Sequence, residues 1–169
     1  MTPEPRRFLT EQVRSLQLRL GHGRVDPMTA ATEACRLFSE GAETVRARWL
    51  TLELQGYGDL VDPRPLHVIL GVPSNDRLAA HVATYRTQPG FNESGAEFKH
   101  FFVEPLRELI ATSARVATSG DASSIELVFA PAPGPSNHPR AGTFGRDVFE
   151  RVVAGFVAAL HLQLGAIAA

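Results

Sequence analysis

A tryptophan, a glutamate one helical turn later and a tyrosine four residues beyond that stand in the stretch Arg48-Trp49-Leu50-Thr51-Leu52-Glu53-Leu54-Gln55-Gly56-Tyr57, and a Tyr85-Arg86 pair follows downstream. Positions four apart are neighbours on a helix, so Trp49 and Glu53 share a face. Gly56 stops the helix and leaves Tyr57 just past its end. Aromatic rings and a carboxylate then gather at one helix terminus, and two readings follow. In the first, Trp49 and Tyr57 pack a helical hairpin while Glu53 pairs with an arginine such as Arg86. In the second, Trp49, Glu53, Tyr57, Tyr85 and Arg86 line a pocket or docking surface, because rings beside a carboxylate offer both contact area and a polar handle.

The rest of the chain offers little that reads as catalysis. His67, His81 and His100 come together only if the tertiary fold brings them together, and none has a histidine or carboxylate partner at the spacing of a helical metal face. Cys35 is the single cysteine, which excludes an internal disulfide and any zinc site that needs two thiolates. It falls on an apolar helical stripe, where a thiol acts as a small hydrophobe. There is no nucleophile elbow, phosphate-cradling glycine loop or dinucleotide fingerprint. No cofactor and no metal is called for.

The elements that must position these residues begin with three helices. Phe8, Leu9, Val13, Leu16 and Leu20 form one apolar face, closed by Gly21 and Gly23. Asp26-Pro27 is a start signal for the second, since aspartate caps exposed N–H groups and proline at the first position loses nothing. That helix carries Met28, Ala31, Ala34, Cys35 and Phe38 and ends near Gly41; the third carries Val45, Trp49 and Leu52, and the two pack as a hairpin. Asp62-Pro63-Arg64-Pro65 predicts a connector, Leu66 to Val72 a strand, and Asn75 or Asp76 the cap of a short helix through Leu78, Ala79, Val82 and Ala83. Gln88-Pro89-Gly90 predicts a loop.

Glu97 to Val103 then predicts a strand with Phe98, His100 and Phe102 on one face, followed by a helix from Pro105 that Ser119-Gly120-Asp121 ends. Ile125 to Phe129 predicts a further strand, and residues 130–142 a loop rich in proline and glycine. The closing helix is apolar on more than half its circumference, which marks it as central or as an interface presenting Phe149, Val153, Phe156 and Leu160. The expected class is α+β: an N-terminal helical hairpin region, a small mostly antiparallel sheet and a long C-terminal apolar helix, in one domain over residues 1–169.

Length and composition set the outer bounds. The chain has 169 residues, 44% of them hydrophobic and 21% charged, with a net charge of −1, so it is long enough and apolar enough to bury a core. Near-neutral charge argues against a dedicated nucleic-acid or membrane-surface binder. The apolar run from Val152 to Ala169 is broken by His161 and Gln163, unlike a membrane span, and the N-terminal stretch lacks the apolar core of a signal peptide. These features, with one unpaired cysteine, predict a cytoplasmic protein.

The order of an alanine- and leucine-rich helix, a second helix ending in Trp-x-x-x-Glu-Leu-x-Gly-Tyr (Trp49 to Tyr57), a later Tyr85-Arg86 and a closing strand and helix resembles the abortive-infection AbiTii-type domain of bacterial phage defence. The resemblance runs from Met28 to Tyr57 in motif and from Phe102 to Leu162 in the pattern of elements. Between them, around residues 60–84, this chain carries an insertion where the family has a short proline-bearing link. The resemblance implies a role in antiviral defence and transfers no catalytic residue. Three functions are compatible with it: a non-enzymatic module that self-associates or docks a larger effector of the same defence system, a toxin acting on RNA or a nucleotide through distant histidines and arginines, and a small-molecule sensor built on Trp49 to Tyr57.

Overall fold

The computed structural model describes residues 3–58, 64–118, 124–129 and 141–169. The first three helices are α1 (Pro3–Gly21), α2 (Pro27–Glu40) and α3 (Thr44–Gln55). Asp26 caps α2 as its sequence demands, its carboxylate accepting from Thr29 N at 3.0 Å with Pro27 in the first turn. α2 and α3 pack face to face, and the half-buried Cys35 thiol lies 3.7 Å from both the Ala47 carbonyl and the Thr51 hydroxyl across that seam.

The segment expected as a strand from Leu66 to Val72 is instead a single helical turn, α4 (Leu66–Leu70). Its punctuation overrides its β-branched composition. Pro65 sits extended before it with its carbonyl accepting from Val68 and Ile69, and Gly71 closes it in the left-handed region at φ 71°. α5 (Arg77–Arg86) follows, capped by Asp76, whose carboxylate accepts from Ala79 N at 2.9 Å.

Four antiparallel strands form the sheet in the order β2-β1-β4-β3: β1 (Thr87–Phe91), β2 (Glu97–Phe101), β3 (Ser124–Val128) and β4 (Ala141–Gly145). The expected loop at Gln88-Pro89-Gly90 is therefore an interior strand, and the expected loop through Gly142 gives way to β4 from Ala141 onward. Two physical facts reconcile this with the Pro and Gly content. The ladder between β1 and β4 reaches only Phe91, opposite Thr143, so Pro89 lies where β1 is paired to β2 alone.

The glycines, in turn, are seats for aromatic rings. A Cβ on Gly90 would lie 2.5 Å from the Phe144 ring, and one on Gly142 would lie 2.4 Å from the Phe98 ring. Phe98, His100 and Phe102 do share one face, as alternation requires. Phe102 meets Phe144 and Phe149 edge-on at 5.2 and 5.3 Å, and His100 stacks on Phe129 at 4.5 Å.

The remaining helices are α6 (Leu106–Thr118), which begins after Pro105 as expected, and α7 (Asp147–Ala168). Residues 59–63, 119–123 and 130–140 hold the first half of the expected connector, the stop after α6 and most of the proline-rich loop; all three lie outside the described residues. By length and composition α7 could cross a membrane, yet its inward face is the spine of the core. Val148, Phe149, Val152, Phe156, Ala159, Leu160 and Leu164 are all buried, packed among α1, α2, α5, α6 and β1. The expected interface of Phe149, Val153, Phe156 and Leu160 is thus mostly interior: three of the four are buried and Val153 is half-buried. Burial against the protein's own helices already accounts for the apolar excess that suggested a partner.

α7 and α5 approach so closely that a Cβ built on Gly155 would lie 2.2 Å from Tyr85 Cβ. Gly155→Ala gains up to about 1 kcal/mol of helix propensity but drives α5 off α7. We expect a net loss of about 1–3 kcal/mol in urea unfolding followed by Trp49 fluorescence, and an unchanged or raised stability would refute the close-packing account.

Candidate functional site

The Trp49 to Tyr57 stretch and Tyr85-Arg86 do meet. Trp49 and Glu53 point the same way from α3. Gly56, at φ 92° and with Val103 O and Pro105 Cδ each 3.0 Å from where a Cβ would sit, turns the chain so that Tyr57 N donates to the Val103 carbonyl at 2.7 Å. Tyr85 and Arg86 are the last residues of α5. One carboxylate joins all four partners. Glu53 Oε1 accepts from Tyr85 OH at 2.6 Å, Tyr57 OH at 2.7 Å and Trp49 Nε1 at 3.2 Å, while Oε2 accepts from Arg86 Nη2 at 2.5 Å. Trp49 Nε1 also donates to Tyr85 OH at 3.1 Å.

Arg86 extends the network into the sheet end. Its Nη1 donates to the carbonyls of Phe102 and Glu104, each at 2.7 Å, and its guanidinium lies 4.9 Å from the centre of the Tyr57 ring. Tyr57 in turn meets Phe101 edge-on at 5.3 Å, and Trp49 meets Phe156 of α7 at 5.8 Å.

None of this reaches solvent. Trp49, Glu53, Tyr57 and Arg86 are 0% exposed and Tyr85 is 4% exposed, so the pocket or docking surface expected of these residues is a closed polar core. Of the four donors on the carboxylate, three converge on Oε1, the Trp49 N–H being shared with Tyr85 OH, and Arg86 alone binds Oε2. With Glu53 wholly buried beneath these donors, no substrate reaches its carboxylate in this conformation. Burial pushes both phenols well above their ordinary value of 10.0, and the Glu53 charge adds to the shift. Burial opposes the Arg86 charge, but the Glu53 carboxylate outweighs it and holds the guanidinium above its ordinary value. Such an arrangement fixes the geometry of α3, α5 and the end of β2.

The histidines do not assemble. His67 lies on α4, His81 packs edge-on at 6.1 Å against Tyr85, and His100 stacks within the sheet. Among the described residues no group of three His, Cys, Asp or Glu side chains is placed to hold a metal ion. Sequence reasoning missed the carbonyls of Phe102 and Glu104, which have no residue signature. It also missed Phe101 and Phe156, whose role depends on strand register and helix packing. No protein-family model, curated protein or solved structure matches this chain.

Two measurements test the sealed network. Removing one member of a buried ion pair strands the other, so Glu53→Leu and Arg86→Met should each cost about 3–5 kcal/mol in urea unfolding, and the double variant clearly less than their sum. Additive losses would show that the pair is not coupled.

The chain's two tyrosines are both in this network. Because their folded pKa values are raised, their contribution to stability is full below about pH 10 and is lost as pH climbs toward the folded values. Tyrosinate absorbance should therefore appear only together with loss of helical circular dichroism in an alkaline titration. Ionisation at the ordinary pH in a still-folded protein would contradict the burial described.

Proposed function

We propose that this chain acts by holding other protein, as an oligomerising or docking module, and does not turn over a substrate. The observation that carries this reading is the sealing of Glu53: the constellation of Trp49, Glu53, Tyr57, Tyr85 and Arg86 is spent inside the core. The Trp49 to Tyr57 motif supplies the setting, abortive-infection defence against phage, by its resemblance to the AbiTii-type domain.

The face we assign to the partner is the outward side of α7. Ala154, Ala158, Leu162 and Ala166 follow at four-residue steps, all exposed and uncharged, with Leu162 59% exposed. The partner is a second copy. The start of α7 is charge-balanced, Asp147 and Glu150 standing between Arg146 and Arg151 with Arg151 paired to Asp147, so the exposed stripe itself is what a copy would cover. Antiparallel pairing about a two-fold axis near Ala158 lays the alanine-rich stripe of each copy along that of the other.

Light scattering on the purified chain should give a dimer mass. Ala158→Arg, which places two like charges beside the axis, should weaken association by more than about tenfold while leaving the melting temperature of the monomer unchanged. A wild-type chain that stays monomeric at high micromolar concentration would sink the self-association reading.

A further inference from the structure

The outward side of α1 carries a separate group of polar side chains that the sealed network does not involve. An open depression of about 320 Å³ is lined there by Arg14, Arg19, Arg24 and His22 around Leu18, with Glu11 its one acidic residue. Glu11, Arg14, Leu18 and His22 recur at steps of three and four, which keeps them on one side of the helix. Arg24 comes back to join them because Gly23 takes φ 64° and Arg24 N bonds the Arg19 carbonyl at 2.8 Å, reversing the chain at the helix end.

Two of the arginines are held in place. Arg14 is pinned by its Nη2 bond to the Ala168 carbonyl at 2.8 Å, and Arg19 by its Nη2 bond to Glu33 at 2.6 Å. Each keeps most of its five N–H donors, and anchored guanidinium groups lose less freedom when they bind. The charge is unevenly cancelled. Arg19 is neutralised by Glu33, and Glu11 lies 3.4 Å from Arg7, whereas Arg14 and Arg24 form no ion pair among the described residues. Between them Leu18 is 56% exposed, an apolar floor flanked by arginine stems.

Uncompensated planar cations beside an apolar floor suit an oxyanion carried on a compact, flat organic group. Arg binds phosphate oxygens in a bidentate fork, and its plane stacks on aromatic rings. The volume is at the lower end of small-ligand sites. We propose that this depression binds a nucleoside phosphate, with the phosphate between Arg14 and Arg24 and the base over Leu18. The same chemistry is presented by a free nucleotide and by a nucleotide within a single strand.

The test uses the full chain at low salt with two probes, ATP alone and a short single-stranded oligouridylate, read by calorimetry. Saturable binding of ATP is expected, weakened about tenfold by Arg24→Gln and by Arg14→Gln. Arg24→Gln is the decisive variant, because Arg24 forms no ion pair among the described residues and its loss should leave the melting temperature unchanged. Binding of the strand but not of ATP, with the same sensitivity to Arg24→Gln, would assign the site to nucleotides in a polymer. Absence of binding by both probes, or binding indifferent to both substitutions, would overturn the proposal.

Discussion

The Glu53–Arg86 ion pair, with both side chains wholly removed from water, is the constraint on which the rest of the structure depends. Moving a carboxylate and a guanidinium into a protein interior costs several kcal/mol per ion, and their mutual attraction offsets this only if their other hydrogen-bonding positions are filled as well. Most of those positions are filled from across the fold, the buried Arg86 Nε alone of the guanidinium nitrogens lacking an acceptor. Trp49 comes from α3, Tyr57 from the turn after it, Tyr85 from α5, and the carbonyls of Phe102 and Glu104 from the link between β2 and α6. If any one of these elements were displaced, a charge would be left unsatisfied in the core. A purely apolar core would tolerate small slides of helix on helix; this one penalises them steeply.

The second constraint is closeness, and glycine supplies it. For Tyr85 to deliver its hydroxyl to Glu53, α5 must lie almost against α7, which the bare backbone of Gly155 permits. In the sheet, Gly90 of β1 makes room for the Phe144 ring of neighbouring β4, and Gly142 of β4 for the Phe98 ring that reaches over β1 from β2, so rings occupy the volume that side chains would otherwise take. Ring-on-glycine packing restores the cross-strand contact that glycine by itself forfeits.

These two constraints explain what could and could not be read from the residues alone. The helices α1, α2, α3, α5 and α7 were legible because each carries a periodic apolar face and a cap or stop, as with Asp26, Asp76 and Gly56. The five members of the polar cluster were legible because their residue types and spacing are unusual together. Their burial was not, since nothing in Trp49 to Tyr57 states which neighbours will close over it; the covering residues Phe101 and Phe156 come from distant elements. β1 failed as an expectation because Pro89 and Gly90 are judged by their local meaning, whereas the strand exists through pairing with β2 and the Phe144 ring. α4 failed in the opposite sense: β-branched residues read as a strand, but Pro65 and Gly71 leave room only for one turn of helix.

A core this rigid shifts what remains adjustable to the surface, where α1 and α7 lie side by side. Arg14 belongs to both: it lines the depression on α1 and donates to the last turn of α7 at Ala168. A ligand that draws on Arg14 therefore competes with, or reorients, the contact that ends α7. A partner covering that end of α7 changes the donors Arg14 has free for a ligand. Thermodynamic linkage makes the two effects equal, since whatever factor one binding event imposes on the other is returned in kind. The coupling needs no movement of the sealed network, because it runs through one exposed side chain, and the stiffness of the core keeps it local.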